Sequence, residues 1–143
     1  MAALAADKNV IQQEGKMLSL PVVASDIVFK GANVKINAAG YLAPCAPEAG
    51  SQYAGVAVEQ CDNSAGVAGA KSVLVFQEGC FEMTGSGFAQ ADVGSQVYAT
   101  DDNDVTLTEG TTSKQKVGII VKYISATKVL VKIMPYSGVG AAS

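Results

Sequence analysis

Histidine, tryptophan and arginine are absent from this chain of 143 residues, and all ten of its basic residues are lysine. Without histidine there is no side chain that titrates near neutral pH unperturbed, no Ser-His or Cys-His nucleophile pair and no imidazole metal ligand. Without arginine there is no planar fork to grip phosphate, carboxylate or guanine. Aromatic residues make up 6% of the chain, too few for a platform of stacked rings. Charged residues amount to 16% and the net charge is −3, which disfavours nucleic acid as a partner because non-specific affinity for it needs clustered positive charge. No run approaches the ~20 apolar residues of a membrane-spanning helix. The apolar start Ala2–Ala6 is too short for a secretory signal and leads into Asp7 and Lys8, so the expectation is a soluble protein made in the cytoplasm. These absences together predict a protein that is not an enzyme and carries no cofactor.

The residues that could still hold a metal or a phosphate are weakly arranged. Cys45, Cys61 and Cys80 are odd in number and lack CxxC spacing, so a structural zinc site is disfavoured. Buried free thiols are the expectation, and whether Cys61 and Cys80 pair stays open. Asp101, Asp102, Asn103 and Asp104 crowd together without the Gly and Glu of a calcium loop, and read better as an Asx turn. The TGSG of residues 84–87 has no GK[ST] behind it. Glu78 and Glu82 could be imagined as a carboxylate pair for glycoside cleavage, but read as surface groups. No catalytic, cofactor-binding or metal-binding residue is expected.

What the chain does have is 49% hydrophobic residues and 15 glycines. From Leu20 onward short apolar, β-branched runs alternate with Gly, Asn and Asp at the spacing of an all-β protein, a small β-barrel or β-sandwich. The expected strands are 27–29, 33–36, 53–59, 72–77, 80–83, 96–99, 105–107, 117–124 and 129–136. The last two flank SATK (125–128) as a hairpin, and are apolar at nearly every position, which predicts cover on both faces, by the domain's own second layer or by another subunit. Pro135 marks an edge strand or a strand end. Gly55 in YAGVAVEQ and Gly118 in KVGIIVKY stand at similar places ahead of β-branched runs, where an interior glycine signals a bulge, a bend or a close backbone approach. No internal repeat is legible.

Residues 1–19 differ from this text. They are polar, lack turn signals and carry Leu4, Val10, Ile11, Met17 and Leu18 without the period of a core-facing element. The reading is an N-terminal arm (1–19) that orders on a neighbouring subunit, or else a frayed terminus, ahead of a body (20–136) and a flexible tail (137–143). Those five apolar residues are the candidate contacts. Charge is uneven as well: after Glu109 there is no acid, while Lys114, Lys116, Lys122, Lys128 and Lys132 all follow. Such asymmetry suits head-to-tail pairing of subunits or an acidic partner, although lysines that keep strands from aggregating would look the same.

Four segments taken in order, FKGANVKINAAGYLAP (29–44), GVAVEQCDNSAGVAGAKSVLVFQEGCFEM (55–83), ADVGSQVYATDDNDVTLT (91–108) and VGIIVKYISATKVLVKI (117–133), resemble the capsid cement or decoration proteins of tailed phages. The resemblance spans about residues 20–134. It implies a small β body, usually with an N-terminal arm, seated on the outer face of the phage head, often as a trimer, with no catalytic residue. Asn63, Gly66, Gly69, Gly79, Gly94 and Tyr98 match positions of that family that look structural. The three cysteines and the tail SGVGAAS depart from the pattern. The expected function is therefore a structural virion protein, made in the host cytoplasm, that binds major capsid protein and itself as a homotrimer, with no nucleic acid or membrane partner. The alternatives are another virion part, such as a head-fibre base or tail accessory, and a non-catalytic glycan-binding β module. The glycan module would need exposed rings among Tyr41, Tyr53, Phe88 and Tyr98, with Phe29, Phe76 and Phe81 expected inside strands.

Overall fold

The computed structural model describes residues 5–6, 16–110 and 112–139, so Leu4, Val10 and Ile11 of the expected arm and residues 140–143 of the expected tail lie outside the described residues. Strands follow one another as β1 (Met17–Pro21), β2 (Asp26–Val28), β3 (Asn33–Ile36), β4 (Leu42–Pro44), β5 (Gln52–Ala57), β6 (Cys61–Asn63), β7 (Ser72–Phe76), β8 (Cys80–Thr84), β9 (Gln96–Ala99), β10 (Val105–Thr106), β11 (Lys116–Ser125) and β12 (Lys128–Ile133). A single 3₁₀ turn at Gln90–Asp92 is the one helical element among the described residues. The all-β expectation holds.

The strands form two curled five-stranded antiparallel sheets, with order β1-β7-β5-β3-β4 in the first half of the chain and β10-β9-β11-β12-β8 in the second; β2 and β6 make a separate ribbon. The halves are here called the N-lobe and the C-lobe. Their topologies are the same. Counting strands within each sheet in chain order, both read 3-2-4-5-1, and in both the end of the first strand meets the start of the third by one parallel bridge, Val22 with Leu42 and Thr84 with Asp104.

The identity extends to register. Asn33, Val34 and Lys35 pair with Val56, Gly55 and Tyr53; Gln96, Val97 and Tyr98 pair with Ile119, Gly118 and Lys116, so every position recurs 63 residues later. A bulge skips Ala54 in one pair and Val117 in the other. Gly31 N–H donates to the Ala57 carbonyl at 2.9 Å, and Gly94 N–H to the Ile120 carbonyl at 2.8 Å, at the same spacing. A structural repeat is thus present where none was expected. The sequence conceals it because the aligned stretches share little beyond Gly31/Gly94, Val34/Val97, Gln52/Gln115, Gly55/Gly118 and Val58/Val121.

Two of those pairs have a steric reason. A Cβ on Gly55 would overlap the Phe76 carbonyl oxygen, and one on Gly118 the Lys132 carbonyl oxygen. Gly55 also sits at φ +141. At both bulges the fourth strand bends hard against the fifth, which curls the sheet, and only glycine lets the backbones approach that closely.

Each lobe fills its interior from equivalent positions: Val34, Leu42, Ala54, Ala57, Val73 and Val75 in the first, and Val97, Val105, Val117, Ile120, Val129 and Val131 in the second. The β2–β6 ribbon adds Val28 and Cys61 to the N-lobe core, and Phe88 stands inside the C-lobe core.

Several expectations need correction. Met17, Leu18 and Ser19 are not part of an arm but open β1, paired with Phe76, Val75 and Leu74. The strand was hidden because its partner β7 lies more than fifty residues further on. β4 and β6 were missed because each is three residues long and carries Pro44 or the polar Asp62 and Asn63. The SATK connection is tighter than four residues, since Ser125 already pairs with Lys128. Within the described residues of the chain the hairpin has no second layer over both faces: a bulge between Ile120 and Lys122 leaves Val121 and Ile124 each 40% exposed. Pro135 marks a strand end, because β12 stops at Ile133 and lies between β11 and β8. Residues 137–139 are tied to the body, as Gly138 accepts from Lys116 N–H and Val139 bridges Gln115.

Gly55→Ala and Gly118→Ala should each lower stability in denaturant unfolding, by about 3 kcal/mol or more at Gly55 where strain and overlap combine. Gly40→Ala, at φ +91 with open space around it, should cost only about 1–2 kcal/mol. Equal losses at Gly40 and Gly55 would contradict the close-approach role.

Candidate functional site

The lobes meet asymmetrically, and that contact holds most of the unusual chemistry. The N-lobe sheet has an outer face, and from it Tyr53, Val56 and Cys45 enter the C-lobe core beside Met83, Val97 and Val117. Tyr53 is fully buried, and its hydroxyl donates to Asn33 Oδ1 at 2.8 Å. The Asn33 amide points its Nδ2 at the Met83 sulfur, 3.9 Å away, and Asn33 N–H donates to the Asp102 carbonyl at 2.8 Å. Phe76 of β7 packs tilted on Phe81 of β8 with ring centroids 5.3 Å apart.

Most polar groups of this junction are spent on structure, with Gln115 Oε1 left without a hydrogen-bond partner. Lys35 is 7% exposed; its ammonium pairs with Glu48 Oε1 at 2.8 Å and donates to the Ala46 carbonyl at 3.1 Å. Gln115, wholly buried, donates through Nε2 to the Ala46 carbonyl at 2.8 Å and to Ser51 Oγ at 2.7 Å, binding the strand before β11 to the N-lobe. Burial pushes the Cys45 thiol far above its ordinary range, against the pull of the nearby Lys35 charge. Burial likewise raises the Tyr53 phenol, so both groups stay neutral.

Two hollows flank the junction. One, about 240 Å³, lies between the lobes and is lined by Gly31, Asn33 and Val56 on one side and Phe81, Met83 and Asn103 on the other. The other, about 560 Å³ and more apolar, is lined by Lys16, Met17, Phe76, Glu78, Gly79 and Lys132, where the chain enters β1. Met17 is 45% exposed on this groove and Leu18 is half-buried in β1. Of the five expected contact residues only Met17 lines the groove among the described residues, while Leu18 lies on the opposite face of β1, paired with Val75.

The weaker sequence motifs resolve into structural roles. Asp101 Oδ1 accepts from the N–H groups of Asn103 and Asp104 at 2.8 and 2.7 Å, an Asx turn as expected. Asp104 Oδ1 accepts from Thr84 Oγ1 at 2.7 Å, which secures the parallel bridge. Gly85 of TGSG is needed because a Cβ would meet the Val105 carbonyl and the Phe88 ring. Glu82 lies 3.7 Å from Lys128 on an exposed face. Asn63 donates to the Val23 and Val67 carbonyls at 2.9 and 3.0 Å and pins the loop around Gly66. Serine 64 holds the Asp62 carboxylate below its usual range through its hydroxyl and N–H.

The aromatic residues do not form a platform. Tyr53, Phe88 and Tyr98 are buried, Tyr41 is half-buried, and Phe76 and Phe81 face each other. Phe29, expected inside a strand, is 55% exposed because β2 ends one residue before it. The junction residues Asn33, Lys35, Glu48, Tyr53 and Gln115 carried no signal of their role, since each acts across a long stretch of sequence.

No protein-family model, curated protein or solved structure matches the chain. What the geometry defines by itself is a class: an all-β protein built of two topologically repeated lobes, one closing the core of the other.

All three cysteines are free, with Cys45 and Cys61 buried and Cys80 exposed. A thiol reagent should therefore modify Cys80 at once in native protein and reach Cys45 and Cys61 only on unfolding. Fast native reaction of Cys45 would mean that the junction opens.

Proposed function

We propose that the chain is a non-catalytic structural protein of a phage virion, binding the outer face of the capsid and cementing neighbouring major capsid subunits. The observation that carries this reading is how the segments resembling the cement proteins are used. They build β3, β5, the Asn63 loop, β9 and the closing hairpin, and Asn33, Asn63, Gly55 and Gly118 among them are engaged in turns and close strand contacts. Adhesion then falls to surfaces. A body that contacts two or more subunits adds an interaction present only in the assembled shell, which raises the free energy needed to separate them. Its partners are major capsid protein and further copies of itself as a trimer on the capsid exterior, after synthesis in the host cytoplasm. The glycan-binding alternative has less in its favour because three of the rings it needs, Tyr53, Phe88 and Tyr98, are buried and Tyr41 is half-buried.

In this reading the N-terminal segment, with Leu4, Val10 and Ile11, supplies part of the hold on neighbouring subunits. Each of those side chains contributes about 1.5–3 kcal/mol if fully buried, against about 1–2 kcal/mol of backbone entropy for each residue ordered, so pockets or strand pairing are required. The segment that can be removed without touching β1 ends at residue 15. Deleting residues 1–15 should leave the thermal melt unchanged and weaken binding to capsids stripped of the protein at least tenfold, a difference of about 1.4 kcal/mol. Undiminished capsid binding would place the contact on the body instead, and no binding by either form would overturn the capsid reading.

A further inference from the structure

The contact between the lobes is heterologous: the outer face of the N-lobe sheet meets the open side of the C-lobe, between β8 and β10. The pairing is not reciprocated, since no outer-face residue of the C-lobe takes part in the N-lobe core. Because the lobes repeat position by position, each half of this contact has a counterpart elsewhere in the molecule with no partner lobe upon it.

The counterpart of the N-lobe outer face is the outer face of the C-lobe. Gln96 and Ile119 stand where Asn33 and Val56 stand, and Lys116 where Tyr53 stands. Asn33, Val56 and Tyr53 are buried, whereas Gln96, Ile119 and Lys116 are all half-exposed. The counterpart of the C-lobe opening is the N-lobe opening between β1 and β4. Where Met83 and Ala99 are 5% and 0% exposed beneath the N-lobe, the equivalent Leu20 and Ile36 are only half-buried at the edge of their core. The hollow between the lobes is lined on its C-lobe side by Phe81, Glu82 and Met83, and the matching stretch of the N-lobe is Leu18, Ser19 and Leu20.

We propose that the outer face of the C-lobe docks into the β1–β4 opening of a second copy of this chain, repeating between chains the contact that joins the lobes within one. The occupant is a second copy because the equivalent opening of the C-lobe is filled by the equivalent outer face of the N-lobe, and the chain carries one further face in that position. Lys116 in place of Tyr53 and Thr108 in place of Cys45 make the intermolecular version more polar, as suits a surface that is wet before association. A heterologous contact either closes into a ring or runs on as a filament. The trimer proposed above is the closed case, a ring of six lobes. The inference deepens the self-association part of that reading and does not require a capsid.

The test uses the full chain in sedimentation velocity with two variants whose changed side chains reach solvent, Ser19→Arg at the opening and Lys116→Glu on the outer face. Wild-type protein should associate as its concentration rises toward millimolar, and each variant alone should remain monomeric with an unchanged melt. Mixed in equal amounts they should form dimers, because Ser19→Arg retains a working outer face and Lys116→Glu a working opening, which together make one intact junction. Should Lys116→Glu lower the melt, Gln96→Arg takes its place. Monomeric wild type at millimolar concentration, variants that associate like wild type, or a mixture that stays monomeric would each overturn the head-to-tail contact. Loss of the mixed dimer with capsid binding retained would overturn this contact alone, and loss of capsid binding with the mixed dimer intact would overturn the capsid reading alone.

Discussion

The C-lobe core is completed by side chains it does not own. Tyr53, Val56 and Cys45 come from the outer face of the N-lobe and pack among Met83, Val97 and Val117. If the N-lobe were withdrawn, these apolar residues would face water at the open side of a sheet held across that gap by one parallel bridge. Burying a tyrosine there requires a partner for its hydroxyl, and Asn33 meets that need from the same face. The ion pair of Lys35 with Glu48 and the bonds of Gln115 extend the junction on its far side. The arrangement is asymmetric because one lobe presents an outer face and the other an opening, and this asymmetry makes further stacking geometrically available.

Sheet curvature is the second constraint. A five-stranded sheet curls far enough for its first and third strands to meet only if some strand bends sharply, and in both lobes the fourth strand does so at a bulge followed by glycine. Gly55 and Gly118 are retained while nearly every residue around them differs, because a side chain at either would strike a carbonyl oxygen of the fifth strand. The hydrophobic interior tolerates substitution at equivalent positions, Leu42 for Val105 or Ala57 for Ile120, provided that the total volume suits each lobe.

Much of the local structure was legible in the chain. Short β-branched runs between Gly, Asn and Asp located most strands, the DDND turn was read from its Asx residues, and the likeness of Gly55 to Gly118 was visible. What stayed hidden was relational. The repeat could not be seen because backbone register and hydrogen bonding preserve it while side chains do not. The junction could not be seen because Asn33 and Met83, or Ala46 and Gln115, lie far apart in sequence and none of them is unusual in its own neighbourhood. Met17 to Ser19 were misplaced because a strand whose partner lies more than fifty residues later has no local turn to announce it.

Native-state hydrogen exchange measures the dependence of one lobe on the other most directly. If the N-lobe face is a structural part of the C-lobe core, the slowest amides of β11 and β12 should lose protection no later, as denaturant rises, than those of β5 and β7, since the C-lobe core cannot outlast the face that closes it. A C-lobe whose amides stay protected at denaturant concentrations where the N-lobe amides already exchange would show a core that closes by itself, and would contradict the account.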